Sequence, residues 1–301
     1  MKKKKSFYSM QNAIVIPVIV FALITWGIWW LYPNASSFVI AFQDRTGNPT
    51  WANFVEVWSS LTRNDGILGQ SLRNTLIFSV LSIFVHIPLV VFVCYFLYKR
   101  IFGYKTFRII FYLPAIIPTV ALAGTFKSFI SVTGPLGEIC NWLNIPLSDQ
   151  GLLADPNTAL GTIVFYYLWT SVAGGMLIIN GAMARIPIEV LEAAKIEGCG
   201  IVREAVQIVL PLIWPTVSTL ITLACTSIIG AGGSLTLLLQ PDTQYGTSTL
   251  QYWMFKQVYG SGYGSGDYGV VSAMGLCFTV VLIPFITGVR KLMDKIQNVE
   301  Y

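Results

Sequence analysis

Six stretches of this chain, 13–32, 75–98, 109–126, 158–184, 209–229 and 269–289, run without an Asp, Glu, Lys or Arg. A helix needs about 20 apolar residues to cross the hydrocarbon core of a bilayer. Inside lipid the backbone must satisfy its own hydrogen bonds, so spans of this length fold as helices. The sequence therefore predicts an all-α membrane protein with six transmembrane helices. Composition agrees: 54% of residues are hydrophobic and 11% are charged, against about 25% charged in an average soluble domain.

The first stretch follows a basic head, MKKKK. It exceeds the apolar core of a signal peptide and shows no small-x-small cleavage site, so it reads as an uncleaved first span. Orientation follows from the basic residues in the loops, which gather on the cytoplasmic side. With the N-terminus inside, fourteen lie on that side: Lys2 to Lys5, Lys99, Arg100, Lys105, Arg108, Arg185, Lys195, Arg203, Arg290, Lys291 and Lys295. Five lie opposite: Arg45, Arg63, Arg73, Lys127 and Lys256. Both termini are expected in the cytoplasm. Residues 33–74, 127–157 and 230–268 then form external segments with turn-rich GPLG, DPN and YGSGYGSGDYG runs. Cys94, Cys225 and Cys277 sit in apolar runs, and Cys140 and Cys199 fall on opposite sides of the membrane, so no disulfide framework or zinc site is expected.

One cytoplasmic loop stands apart. Residues 185–208 carry Glu189, Glu192, Glu197 and Glu204 against Arg185, Lys195 and Arg203. Pro187 suits a first helical turn, Ile188, Leu191 and Ala194 or Lys195 recur at helical spacing, and Gly198 and Gly200 bracket Cys199 as turn residues. A second short helix can begin at Ile201, with Pro211 marking the start of the fifth span. The loop reads as helix, glycine turn, helix. Membrane-surface helices are rich in Lys and Arg. A loop with surplus carboxylates therefore points to a protein partner rather than to lipid.

EAAKIEGCGIVREAVQIVLP resembles the EAA loop of ATP-binding-cassette importer permeases: EAA, three residues, Gly, nine residues, Ile, one residue, Leu-Pro. Glu192, Ala193, Ala194, Gly198, Ile208, Leu210 and Pro211 fill the fixed positions. Glu197 stands where Asp is common, and Cys199 where Ala is usual. QSLRNTLIFSV and FRIIFYLPAIIPTVALAGTFKSFIS resemble the core of maltose-type sugar permeases. After the fifth span, where that group often has Gly-Gly-Pro, the chain reads LLLQPDTQ.

The resemblance implies the type I importer permease architecture. Residues 1–69 would hold the N-terminal tail, the first helix and an external loop. Residues 70–292 would form the permease core with its coupling loop at 185–211, and 293–301 a cytoplasmic tail. It further implies that this loop docks on a separate ATPase. The expected partners are a second, different permease, two ATP-binding-cassette ATPase subunits, an extracellular or periplasmic sugar-binding protein and membrane lipid, with no nucleic acid. The expected location is a bacterial or archaeal cell membrane.

No G-x-x-x-x-G-K-[ST] occurs, so the chain itself is expected to bind no nucleotide cofactor, and ATP is left to a partner. No catalytic or metal-ligating constellation is visible, so no enzyme is expected. His86, close to Pro88, reads as a hydrogen-bonded structural residue. Uncharged spans suit a neutral, hydroxyl-rich solute, since an unpaired ion is costly to desolvate. Tyr166, Tyr167, Trp169 and Thr170 in the fourth span, Ser227 in the fifth and Ser234 just beyond it are the candidates for its path. The rival readings are an ATP-independent secondary transporter or channel, and a membrane-embedded enzyme. The first would call for intramembrane charges, the second for a polar cluster at one membrane face.

Overall fold

The computed structural model describes residues 15–63, 66–145, 147–148, 151–239, 246–260 and 266–296. Lys2 to Lys5, the stretch after Leu239, the middle of the Gly/Tyr loop and the end of the C-terminal tail lie outside the described residues. In chain order the helices are α1 (Val15–Ala41), α2 (Ala52–Thr62), α3 (Ile67–Tyr98), α4 (Tyr104–Ile116), α5 (Thr119–Ile130), α6 (Pro135–Trp142), α7 (Ala159–Met183), α8 (Ile188–Ile196), α9 (Ile201–Thr226), α10 (Gly233–Leu239), α11 (Leu250–Tyr259) and α12 (Tyr268–Asp294). Among the described residues α1, α3, α7, α9 and α12 are long and apolar enough to cross a membrane. The pair beginning with α4 adds a sixth span if it counts as one.

That pair corrects the third predicted span. Residues 109–126 do not form one helix: α4 and the helices that follow it meet at 110°. The cause is local. Pro118 pushes the residue before it out of the helical region, and Ile117 is extended, with φ −79° and ψ 135°.

Proline is handled differently in α1, α3 and α9. Each contains one wide turn, at Gly27–Leu31, Ser82–His86 and Ala205–Val209, and each wide turn ends just short of Pro33, Pro88 or Pro211. The residue before each proline, Tyr32, Ile87 or Leu210, donates its N–H five residues back, to Gly27, Ser82 or Ala205. A proline ring clashes with the carbonyl four residues back and has no N–H to give it. A π turn makes room for the ring and keeps the helix running. Pro211 is therefore inside α9, not at its start, and the second helix of the loop is the first part of the fifth span.

The chain divides into two compact units, one of residues 1–62 and 256–280, the other of 63–255 and 281–301. In the first, Ala41 is the buried residue of α1, whose remaining surface is largely apolar and exposed. Phe42, Trp51 and Phe54 pack edge-on or tilted, with ring centroids 4.9 to 5.5 Å apart. Asn53 donates to the carbonyls of Ala41 (3.0 Å) and Gln43 (2.9 Å), tying α2 to the end of α1. A polar cavity of about 350 Å³ is lined by Gln43, Asp44, Arg45, Asn53, Asp267 and Tyr268, with Arg45 paired to Asp267 at 3.3 Å. The Thr46 hydroxyl, then the Asn48 backbone N–H, hold the Asp44 carboxyl below its ordinary value. The turn they close is thus firm at neutral pH and loosens as the pH falls through that depressed value.

In the second unit, Ile87, Val90 and Cys94 of α3 meet Val172, Met176 and Ile179 of α7 and Val209, Ile213 and Val217 of α9. A second cluster joins Phe78, Leu122, Phe126, Ile163, Tyr166 and Leu239. The start of α3 carries a buried polar clamp. Ser71 Oγ lies 2.7 Å from Ser248 Oγ, Asn74 donates to the carbonyls of Gly246 and Ser248 (both 2.8 Å), and Leu250 N–H donates to Thr75 Oγ1 (2.8 Å). An unsatisfied buried polar group costs about 1–3 kcal/mol, so this clamp fixes the non-helical segment before α11. The GPLG run is equally constrained: a Cβ on Gly137 would lie on the Val132 carbonyl oxygen.

Overpacking of this kind costs about 1–3 kcal/mol. Gly137→Ala should therefore lower the unfolding temperature and the monodisperse yield in detergent. Gly161→Ala, in open space on α7, should leave both unchanged in the same thermal melt.

Candidate functional site

The candidate coupling loop is built from α8, a glycine turn and the start of α9. Pro187 is the residue before α8, one position earlier than a first-turn proline. Leu191 and Ala194 are buried, and Leu191 joins Ile186, Met183, Tyr95, Leu97, Val209 and Ile213 in the core. The opposite face is open. Ile188, Glu189, Glu192, Ala193, Lys195 and Ile196 are exposed, Ile196 at 88%.

The end of α8 explains Gly198. Cys199 N–H donates to the Ala194 carbonyl (2.9 Å) and Gly198 N–H to that of Lys195 (3.1 Å), with Gly198 at φ +71°. These are the two bonds of a Schellman cap, which needs a left-handed residue at this position. Gly200 is extended, at φ −74°, and any residue could adopt that conformation. Of the two glycines, only Gly198 is required by the backbone. Ile208 is half-buried within the π turn, and Pro211 follows it.

Glu204 corrects the charge argument. It is only 2% exposed, and its carboxylate takes Lys99 Nζ at 2.7 and 2.9 Å. The Tyr95 hydroxyl lies 3.2 Å from Glu204 Oε1 and 3.0 Å from the Ile201 carbonyl oxygen. With Glu204 withdrawn, exposed Glu189, Glu192 and Glu197 face exposed Arg185, Lys195 and Arg203 in equal number. The loop surface has no acidic surplus; it has mixed charge around exposed Ile188, Ile196, Ile201 and Val202. Removing one member of a buried pair costs about 3–5 kcal/mol, so Lys99 and Glu204 also anchor α9 to α3.

The solute-path candidates separate into three groups. Tyr167 and Ser227 share a cavity of about 270 Å³ between α3, α7 and the end of α9, with Ser82, His86, Gly174, Leu220 and Leu223. Tyr166 and Trp169 join the aromatic cluster with Phe126 and do not line that cavity, whereas Tyr167 does both, with its ring edge-on to Phe78 at 5.6 Å; the Tyr166 ring is fully buried, 4.7 Å from Phe126. Thr170 turns its hydroxyl back to the Tyr166 carbonyl at 2.9 Å. Ser234 is exposed on α10, outside the cavity.

Sequence reasoning missed Ser82 in the cavity and the whole Lys99–Glu204–Tyr95 contact. Ser82 stands in a run of apolar residues, and nothing in its spacing marks it. His86 places its ring 6.1 Å from that of Tyr167; its buried Nε2 has no hydrogen-bond partner among the described residues, while the Ser171 backbone hydrogen-bonds the ring.

The chain is 23% identical over 265 residues to the multiple sugar-binding transport system permease protein MsmF of Streptococcus mutans, covering 88% of this chain and 89% of that one. The fold matches a chain of a bacterial ABC transporter involved in the import of the acidic polysaccharide alginate. The TM-score is 0.82 at 19% identity, over 98% of this chain and 100% of the other. It also matches the alginate transporter in complex with its alginate pentasaccharide-bound periplasmic protein, at a TM-score of 0.79 and 20% identity over 94% and 95%. The family profile described as binding-protein-dependent transport system inner membrane component matches residues 66–297. With well over half of its length matched, this chain belongs to the family of binding-protein-dependent transport system inner membrane components.

Proposed function

We propose that this chain is the membrane permease subunit of an ATP-driven importer for a neutral sugar or oligosaccharide. Its exposed α8 face docks on a separate ATPase subunit. The observation that carries this reading is the α8 cap. The EAA pattern is met at every fixed position, and its glycine closes a Schellman turn that presents Glu192, Ala193 and Ile196 outward on a core-anchored helix. A mixed-charge surface around exposed isoleucines suits a protein groove.

In this reading both termini and α8 are cytoplasmic, and a second, different permease completes the path. Two ATPase subunits hydrolyse the nucleotide, and an external binding protein delivers the solute, with the chain itself catalysing no reaction. ATP binding closes the ATPase dimer, α8 moves with it, and the spans reopen outward.

The cavity shared by Tyr167 and Ser227 supports a neutral solute. None of the residues lining it is Asp, Glu, Lys or Arg, and an acidic sugar such as alginate would leave its carboxylates without a counter-charge there. Aromatic faces and hydroxyls suit a sugar ring instead.

Two experiments test this. Uptake of labelled neutral oligosaccharides by cells should vanish with Glu192→Lys or Gly198→Val while the chain stays in the membrane at normal abundance. Normal uptake in either variant would refute the coupling role. For the path, Tyr167→Ala should raise the concentration for half-maximal uptake by about tenfold or more, the loss of roughly 1.4 kcal/mol of binding. Ser234→Ala should leave it unchanged. Equal effects at both positions, or faster uptake of alginate fragments than of neutral sugars, would contradict the assignment.

A further inference from the structure

The contact between Glu204, Lys99 and Tyr95 belongs to neither the docking face nor the cavity, yet it lies between them. Glu204 is the carboxylate of the loop that the fold buries, while Glu189, Glu192 and Glu197 remain exposed. Lys99 caps α3, its N–H bonded to the Tyr95 carbonyl at 2.9 Å, and Arg100 at φ +52° ends the helix directly after it. Its backbone is therefore fixed at the end of α3, and its ammonium is held by the Glu204 carboxylate. Glu204 is equally fixed, at the start of α9 and next to the π turn Ala205–Val209. Two Nζ–carboxylate contacts and one phenol join the two helices.

Buried ion pairs are poor sources of net stability, since an apolar replacement often does as well. They differ from apolar packing in being directional: a charge pair of this geometry resists sliding. The helix it grips, α3, carries Ser82 and His86 in the cavity wall, and Lys99 lies 13 residues beyond His86, about 20 Å along the axis. At its other end α3 holds the Ser71, Asn74 and Thr75 clamp.

We infer that Glu204 is a positioning residue for transport. Through Lys99 and Tyr95 it passes displacement of the α8–α9 loop into α3, which moves the Ser82 and His86 side of the cavity. This rests on the proposed docking of α8 on an ATPase and adds the route by which that docking reaches the solute path.

The test uses the complex purified from its native membrane, carrying Ser82→Cys as reporter with the native cysteines replaced. The probe is a membrane-impermeant maleimide, with labelling rates compared without nucleotide and with ATP plus vanadate. The parent complex should change its labelling rate by about fivefold or more, within the usual range of coupling between sites. Glu204→Gln should bring that response below about twofold while ATP hydrolysis per complex stays within about twofold of the parent. The exchanged pair, Lys99→Glu with Glu204→Lys, should recover most of the response. Should Glu204→Gln fail to assemble, Tyr95→Phe decides, with a weakened response expected.

A full nucleotide response in Glu204→Gln or in Tyr95→Phe would overturn the inference. So would a response and an ATPase rate that fall together with the amount of folded complex in both Glu204→Gln and Tyr95→Phe, which is what a merely structural contact would give. A parent complex that hydrolyses ATP without any change at Ser82→Cys would overturn it and leave the docking intact. A parent chain that carries no ATPase would overturn both.

Discussion

A hydrocarbon interior offers no hydrogen-bond partner, and most of this fold is a response to that fact. The long helices satisfy their own backbones; a π turn ending just before Pro33, Pro88 and Pro211 keeps α1, α3 and α9 continuous, while Pro215 and Pro284 sit within α-helical turns of α9 and α12. Where Pro118 defeats the helix, the chain bends by 110° instead. Formal charge is pushed to helix ends: Arg73 near the start of α3, Arg203 and Glu204 at the start of α9, Arg290, Lys291 and Asp294 at the end of α12. The charged loop on α8 is one consequence, since the ends of the spans are where an ionic docking surface can exist at all.

Within the second unit, α3 links the features that matter. One end is pinned to the segment before α11 by Ser71, Asn74 and Thr75. Its middle packs on α7, where Val90 sits against Gly175, and lines the cavity through Ser82 and His86. Its last turn holds Glu204 through Lys99 and Tyr95. The helix thus meets both arms of the proposed transport cycle, the solute path and the loop that faces the ATPase.

Most of the fold was legible because apolar length is itself the lipid constraint written in sequence. Two of the six stretches, 75–98 and 269–289, lie wholly within single helices, 158–184 overhangs α7 by one residue at each end, and 209–229 runs three residues past α9; elsewhere the helices overrun the apolar stretches. α1 continues to Ala41, α3 begins at Ile67, and α9 begins at Ile201. Apolarity marks only the part of a helix that lipid surrounds; the polar turns beyond it are equally helical and carry no such signal. Gly198 was legible as a turn, yet its difference from Gly200 is a matter of φ, which two identical residues do not reveal. Glu204 was misread as surface because its partner, Lys99, is 105 residues away. Tyr166 and Tyr167 are adjacent and alike, but on a helix they point about 100° apart, so Tyr166 is sealed in the aromatic core while Tyr167, edge-on to Phe78, also reaches the cavity wall.

The claim on which the account turns is that the outward face of α8 is the surface an ATPase grips. The most direct measurement replaces exposed Ile196 with a photo-crosslinking amino acid in the native membrane and identifies what it captures on illumination. The account predicts a single dominant adduct with an ATP-binding-cassette subunit, lost when Glu192→Lys is added. Capture of lipid alone at Ile196, with an ATPase bound to the chain elsewhere, would contradict it.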